Sequence, residues 1–224
     1  MTTATEREVR IPGDIELEGV LHLPEGVRPL GGVAICHPHP LYGGSLHHPM
    51  VAALAREAAK HGAAALRFNF RGTGESGGEH GEGLAEKADV AAALAFLGQE
   101  ISASAGLALA GYSFGAAVAT AYAADEVAGY GLAALALIAL PVAFPDLEWS
   151  AGSLRRVQGT PVLAVVGERD EYAPPAAVVR ALAALGARGK LLLVPGADHF
   201  FEGKRLAVAG AVTRFLAQRL GGGG

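Results

Sequence analysis

Two segments of the chain could present a serine on a sharp turn, Gly111-Tyr112-Ser113-Phe114-Gly115 and Gly74-Glu75-Ser76-Gly77-Gly78. Between a strand and a helix, a Gly-x-Ser-x-Gly pentapeptide lifts the serine hydroxyl above the sheet, because its glycines leave room for the tight backbone. The first segment follows the apolar run Leu107-Ala108-Leu109-Ala110 and leads straight into Ala116-Ala117-Val118-Ala119, so strand, turn and helix stand where the mechanics require them. The second lies within the polar run 71–83, away from any strand or helix, and Ser76 is read as a coincidence in a chain with 32 glycines. The same run contains Gly72-Thr73-Gly74-Glu75-Ser76-Gly77, a match to the dinucleotide pattern G-x-G-x-x-G. A cofactor site would need the last glycine to open a helix and an acid at the next strand tip, whereas Asp89 falls inside a predicted helix. Residues 71–78 are therefore expected to form a structural loop beside the site, and no cofactor is expected.

A serine hydroxyl becomes a useful nucleophile when a general base takes its proton and a carboxylate orients that base. In a parallel sheet the reactive loops lie beyond the carboxyl ends of the strands. Asp170 follows the apolar run 161–166 in Gly167-Glu168-Arg169-Asp170-Glu171, and His199 follows the run 191–194 in Pro195-Gly196-Ala197-Asp198-His199-Phe200. Glu168, Glu171 and Asp198 are the alternative carboxylates. Acyl transfer also needs donors for the developing oxyanion. The backbone N–H of Phe114, next to the nucleophile, supplies one. In Cys36-His37-Pro38-His39-Pro40 the prolines have no N–H, which leaves His39 as the best candidate for the second.

His37, His39, His47 and His48 cluster in the sequence, but no cysteine or carboxylate accompanies them at ligand spacing, so a shaped loop with helix-start residues is expected, and no metal. Cys36 and His37 are adjacent in a strand and point to opposite faces, a poor arrangement for a nucleophile and its base.

The elements that must carry these residues alternate. Strands are predicted over 6–11, 15–23, 32–36, 64–70, 107–110, 132–140, 161–166 and 190–194, the last six read as buried on both faces. Helices are predicted over 49–61, 84–100, 114–124, 175–185 and 206–220. This is the pattern of an α/β fold with a mostly parallel sheet and crossover helices. Only 141–159, interrupted by Pro141, Pro145, Gly152 and Gly159, breaks the alternation and is read as a loop with room for one short helix.

With 224 residues, 51% of them hydrophobic, the chain suits a single domain over 1–220, followed by a frayed glycine tail over 221–224. A formal charge of -4 without a basic block argues against nucleic-acid or membrane partners. The polar N-terminus lacks a secretory pattern, the apolar run 132–140 is far short of the roughly 20 residues of a membrane span, and Cys36 has no internal disulfide partner. A soluble cytoplasmic protein is expected. Its exposed sheet edge leaves a homodimer open.

With these residues assembled, the chain resembles the α/β-hydrolase superfamily over nearly its full length. The segments Cys36-His37-Pro38-His39-Pro40 with Gly43-Gly44, Arg67-Phe68-Asn69-Phe70-Arg71-Gly72-Thr73-Gly74-Glu75-Ser76, Gly111-Tyr112-Ser113-Phe114-Gly115 and Ala197-Asp198-His199-Phe200-Phe201 look like those of small bacterial hydrolases related to dienelactone hydrolases and dipeptidyl peptidase-like proteins. The order Ser113, Asp170, His199 is the one such proteins use. The resemblance implies a serine hydrolase of small acyl substrates, carboxylesterase-like, with Ser113 as nucleophile, His199 as base, Asp170 as its orienter, and Phe114 and His39 as the oxyanion hole. Peptidase, lactone hydrolase or acyltransferase chemistry would use the same triad, and a non-catalytic binding protein on this scaffold is the competing class. Residues 141–159 are too short for a separate lid, so the site is expected to be open, with Phe144, Leu147 and Trp149 as candidate lining.

Overall fold

The computed structural model describes residues 4–125, 131–142, 153, 156–157, 159–183 and 189–221. The strands are β1 (Ala4–Ile11), β2 (Leu17–Pro24), β3 (Gly31–Cys36), β4 (Ala64–Phe68), β5 (Gly106–Tyr112), β6 (Ala134–Ile138), β7 (Val162–Gly167) and β8 (Gly189–Val194). They form one sheet in the order β1-β2-β4-β3-β5-β6-β7-β8. The pairs β1–β2 and β2–β4 are antiparallel, and from β4 to β8 every neighbouring pair is parallel. Strand order reverses direction between β3 and β5, the switch point at which an open α/β sheet leaves a crevice above its carboxyl ends.

Among the described residues five α-helices cover the sheet: α1 (Pro49–Lys60), α2 (Glu86–Glu100), α3 (Phe114–Ala123), α4 (Pro175–Ala183) and α5 (Arg205–Leu220). Alternation along the strands divides the core into two layers. Leu107, Leu109, Leu135 and Leu137 face α2, α3 and α4. Ala108, Ala110, Ala134 and Ala136 face α1 and α5, and their small side chains let the apolar faces of those helices, led by Leu54 and Phe215, lie directly on the sheet. This is the α/β architecture, a mostly parallel sheet with crossover helices, that the alternating pattern implies. Among the described residues no helix is long and apolar enough to cross a membrane.

The structure corrects several boundaries and one burial expectation. β4 stops at Phe68 and not at residue 70; the Asn69 N–H still donates to the Glu18 carbonyl of β2 at 2.9 Å, while its side chain accepts the Leu46 N–H at 2.7 Å and donates to the Glu18 carboxylate at 2.7 Å. β6 spans 134–138 within the expected 132–140, and Ala139 beyond it has φ 49°. α2 begins two residues later than expected, since the buried Glu86 carboxylate is taken by the N–H groups of Gly81 and Gly83, both at 2.8 Å, in the preceding turn. β8 is not buried on both faces. As the edge strand it has one neighbour, and Leu191 and Leu193 are 37% and 42% exposed. Most of the 141–159 loop, with Phe144, Leu147 and Trp149, lies outside the described residues.

Candidate active site

Ser113 immediately follows β5 and occupies the N-cap position of α3, with φ 54° and ψ -119°. A serine there ordinarily caps its helix. This one makes no capping bond, and its Oγ lies 2.9 Å from Nε2 of His199. A positive φ on a non-glycine residue is costly and persists only when the surroundings enforce it. Here the Ser113 N–H donates to the Ile138 carbonyl at the end of β6 (2.8 Å), while its own carbonyl receives the N–H groups of Ala116 and Ala117. Gly115 lets α3 approach the end of β3: a Cβ at that position would stand 2.5 Å from the His37 carbonyl oxygen.

The loops that carry Asp170 and His199 are laced together beyond β7 and β8. The N–H of Arg169 donates to the Ala197 carbonyl at 2.8 Å, and that of Glu168 to the Val194 carbonyl at 3.1 Å. The Gly196 N–H donates to the Glu168 carboxylate at 2.7 Å. A side chain at Gly167 would strike the carbonyls of Ala197 and Asp198, both 2.5 Å from its Cβ position, so this crossing requires glycine. The lacing puts both Asp170 carboxylate oxygens 3.0 Å from Nδ1 of His199. Oδ1 of Asp170 also accepts the N–H groups of Tyr172 (3.0 Å) and Ala173 (2.8 Å), so a buried carboxylate is held in one orientation. Of the rival carboxylates, Glu168 binds Gly196 and Asp198 binds the N–H of Phe200 at 3.0 Å. The three side chains Ser113, His199 and Asp170 thus form one hydrogen-bonded series. The Tyr112 hydroxyl, at the end of β5, donates to the His199 carbonyl at 2.8 Å. Only the fold brings those two together.

The loop after β3 is shaped by His37. This fully buried imidazole donates from Nδ1 to the Pro38 carbonyl at 2.6 Å and accepts the Phe70 N–H at Nε2 at 3.0 Å, so both nitrogens are spent. Burial pushes its pKa down to about 4, which keeps the ring neutral. Beyond it, the His39 ring packs 4.7 Å from that of Phe114. No hydrogen bond among the described residues uses the backbone N–H of either Phe114 or His39. His39 and His48 each act as a helix cap, accepting the N–H of Leu41 (3.3 Å) and Met50 (3.2 Å) at Nδ1.

The decoy segment is built differently. Ser76 Oγ accepts the Glu18 N–H at 2.9 Å and donates to the Asn69 carbonyl at 2.8 Å, so it is a buried brace between loop and β2. Asp89, the only acid near dinucleotide spacing, lies inside α2 and is spent on the backbone and guanidinium of Arg71.

Above Ser113 lies a cavity of about 430 Å³, within the range of small-molecule sites. Its described walls are Pro38, His39, Tyr42, His48, Tyr112, Ser113, Phe114, Pro141, Tyr172, His199 and Phe200. No Asp, Glu, Lys or Arg is among them.

A family model described as an alpha/beta hydrolase domain matches residues 42–212. An α/β serine hydrolase homologue from Coxiella burnetii is 30% identical, with a TM-score of 0.80 over 94% of this chain and 97% of that one. A lidless α/β serine hydrolase from Xanthomonas campestris is 29% identical, with a TM-score of 0.82 over 96% and 95%. A dienelactone hydrolase from Anabaena variabilis, 23% identical with a TM-score of 0.78 over 97% and 99%, shares the fold. Among curated proteins, an uncharacterised protein of Rickettsia prowazekii is 38% identical over 85 residues, 38% of this chain and 36% of that protein, so the match spans about a third of that relative.

Proposed function

We propose that this chain, which belongs to the α/β-hydrolase family, is a serine hydrolase that cleaves a small ester or thioester through an acyl-enzyme on Ser113. The observation that carries the proposal is the 2.9 Å contact between Ser113 Oγ and His199 Nε2, made by a serine on a strained elbow at the wall of a cavity. Nε2 accepts the hydroxyl proton as Oγ attacks the carbonyl carbon. The carbonyl π electrons move to oxygen, and that oxyanion meets the N–H groups of Phe114 and His39. Loss of one such donor typically costs about 100- to 1000-fold in rate. Collapse of the intermediate re-forms the carbonyl and breaks the bond to the leaving alcohol or thiol, which takes the proton from Nε2. Water then repeats the sequence and releases the acid and free Ser113.

Asp170 holds Nδ1–H, so that Nε2 carries the lone pair, and stabilises the imidazolium once it forms. The lactone, peptide and acyl-transfer alternatives use the same groups and differ in the acceptor or leaving group, which product analysis with competing alcohols distinguishes. A fluorophosphonate probe tests the central step. Labelling of the wild type at Ser113, and loss of both labelling and p-nitrophenyl butyrate hydrolysis in Ser113→Ala, is the expected result. A Ser113→Ala variant that retains esterase activity would refute it.

A further inference from the structure

His48 lines the cavity, with its ring centroid 5.2 Å from that of Tyr112. Its Nδ1 accepts the Met50 N–H at 3.2 Å at the start of α1, and a ring nitrogen that accepts carries no proton. Burial and the Arg205 guanidinium lower its pKa to about 4, so the ring is neutral at ordinary pH. A neutral imidazole with Nδ1 accepting has its proton on Nε2. That nitrogen has no partner among the described residues and is not one of the buried unpartnered atoms, so it is accessible to solvent on a residue that lines the cavity. The helix cap therefore fixes both the tautomer and the orientation of a hydrogen-bond donor.

The surrounding wall sharpens what that donor can recognise. No carboxylate or cation is among the described lining residues, and most of the remaining surface is aromatic, with Tyr42, Tyr172 and Phe200 at an exposed rim. A charged substrate would lose hydration here and gain no ion pair from the described walls. An uncharged substrate loses little, provided that any polar atom it buries finds a partner.

Resting on the serine-hydrolase reading above, we propose that His48 is a specificity-determining residue whose Nε2–H donates to an acceptor oxygen of the substrate away from the scissile carbonyl. The preferred substrates are uncharged esters with an apolar body and a second ether, keto or hydroxyl oxygen.

The test uses isosteric pairs that exchange one methylene for an ether oxygen: p-nitrophenyl butyrate with methoxyacetate, and p-nitrophenyl pentanoate with 3-methoxypropanoate. Dividing each enzymatic kcat/KM ratio by the ratio for hydroxide hydrolysis removes intrinsic reactivity. The wild type is expected to favour the ether member of at least one pair. His48→Asn keeps an oxygen that can cap α1, but its shorter amide places no donor at the position of Nε2, and His48→Phe keeps an aromatic ring but has no N–H. Both are expected to lower the ratio about 3- to 10-fold, the value of one neutral hydrogen bond. A ratio unchanged within twofold in both variants, with Ser113 still labelled by fluorophosphonate, overturns the assignment and leaves the hydrolase reading intact. A merely capping role would shift the melting temperature and both members of a pair together, and would overturn it too. Failure of the wild type to label is a separate result, which would remove the premise.

Discussion

Asp170→Asn isolates the role of the carboxylate. Oδ1 of Asp170 is fixed by two backbone donors, Tyr172 and Ala173 N–H, in addition to its contact with His199. In the variant those donors retain the amide oxygen at the Oδ1 position, since an NH₂ there would face two N–H groups. The NH₂ must then occupy the Oδ2 position, 3.0 Å from His199 Nδ1 in the wild type, and donate to it. Nδ1 becomes an acceptor, the neutral imidazole carries its proton on Nε2, and that proton faces Ser113 Oγ across 2.9 Å. The base is present but in the wrong tautomer. The expected loss in kcat/KM on p-nitrophenyl butyrate is about 10⁴-fold, equivalent to about 5.5 kcal/mol of transition-state stabilisation. The packing is nearly unchanged, so circular dichroism and the melting temperature report a folded protein. A loss below tenfold in a folded variant refutes the reasoning and transfers the role to Glu168, Glu171 or Asp198.

Ser76→Ala keeps the Ser113 labelling rate but loses about 1–3 kcal/mol of stability in urea titration, because the Glu18 N–H and the Asn69 carbonyl lose their shared buried partner. Tyr112→Phe leaves the His199 carbonyl without its 2.8 Å donor and costs a similar 1–3 kcal/mol, measured the same way. Acid weakens the fold through His22 and His37. Burial lowers both to about 4 in the folded state against 6.5 as the ordinary value, so the unfolded chain takes up their protons first. Stability from this source is complete above about pH 6.5 and is lost as pH falls toward 4, at up to about 1.4 kcal/mol per pH unit for each ring. Urea midpoints at pH 7, 6 and 5 check this, and a flat profile contradicts it.

Much of the site was legible before any coordinates because its signals are local or ordinal. The Ser113 elbow is a pentapeptide between an apolar run and an alanine-rich helix, and Asp170 and His199 each follow a strand in the expected chain order. The prolines around His39 reduce the choice of donor by elimination, since Pro38 and Pro40 have no N–H. The rest depends on contacts across long stretches of chain. Nothing near Gly167 in the sequence shows that the carbonyls of Ala197 and Asp198 will press against it, or that the Tyr112 hydroxyl will hold the His199 carbonyl. Ser76 could be discounted as a nucleophile from its context, but its bracing of β2 could not be foreseen. β8 reads as a buried strand because its composition matches β7, and only the sheet order makes it an edge.

The amino-acid sequence by itself determined the fold class and singled out the candidate triad Ser113, Asp170 and His199 in that order, since these follow from hydrophobic periodicity and from short motifs whose geometry is local. The tertiary structure alone decided which carboxylate meets His199, which histidine shapes the loop after β3 and which caps a helix beside the cavity. Each of those depends on where hydrogen-bond partners tens of residues away come to rest, and a buried imidazole takes its tautomer from those partners.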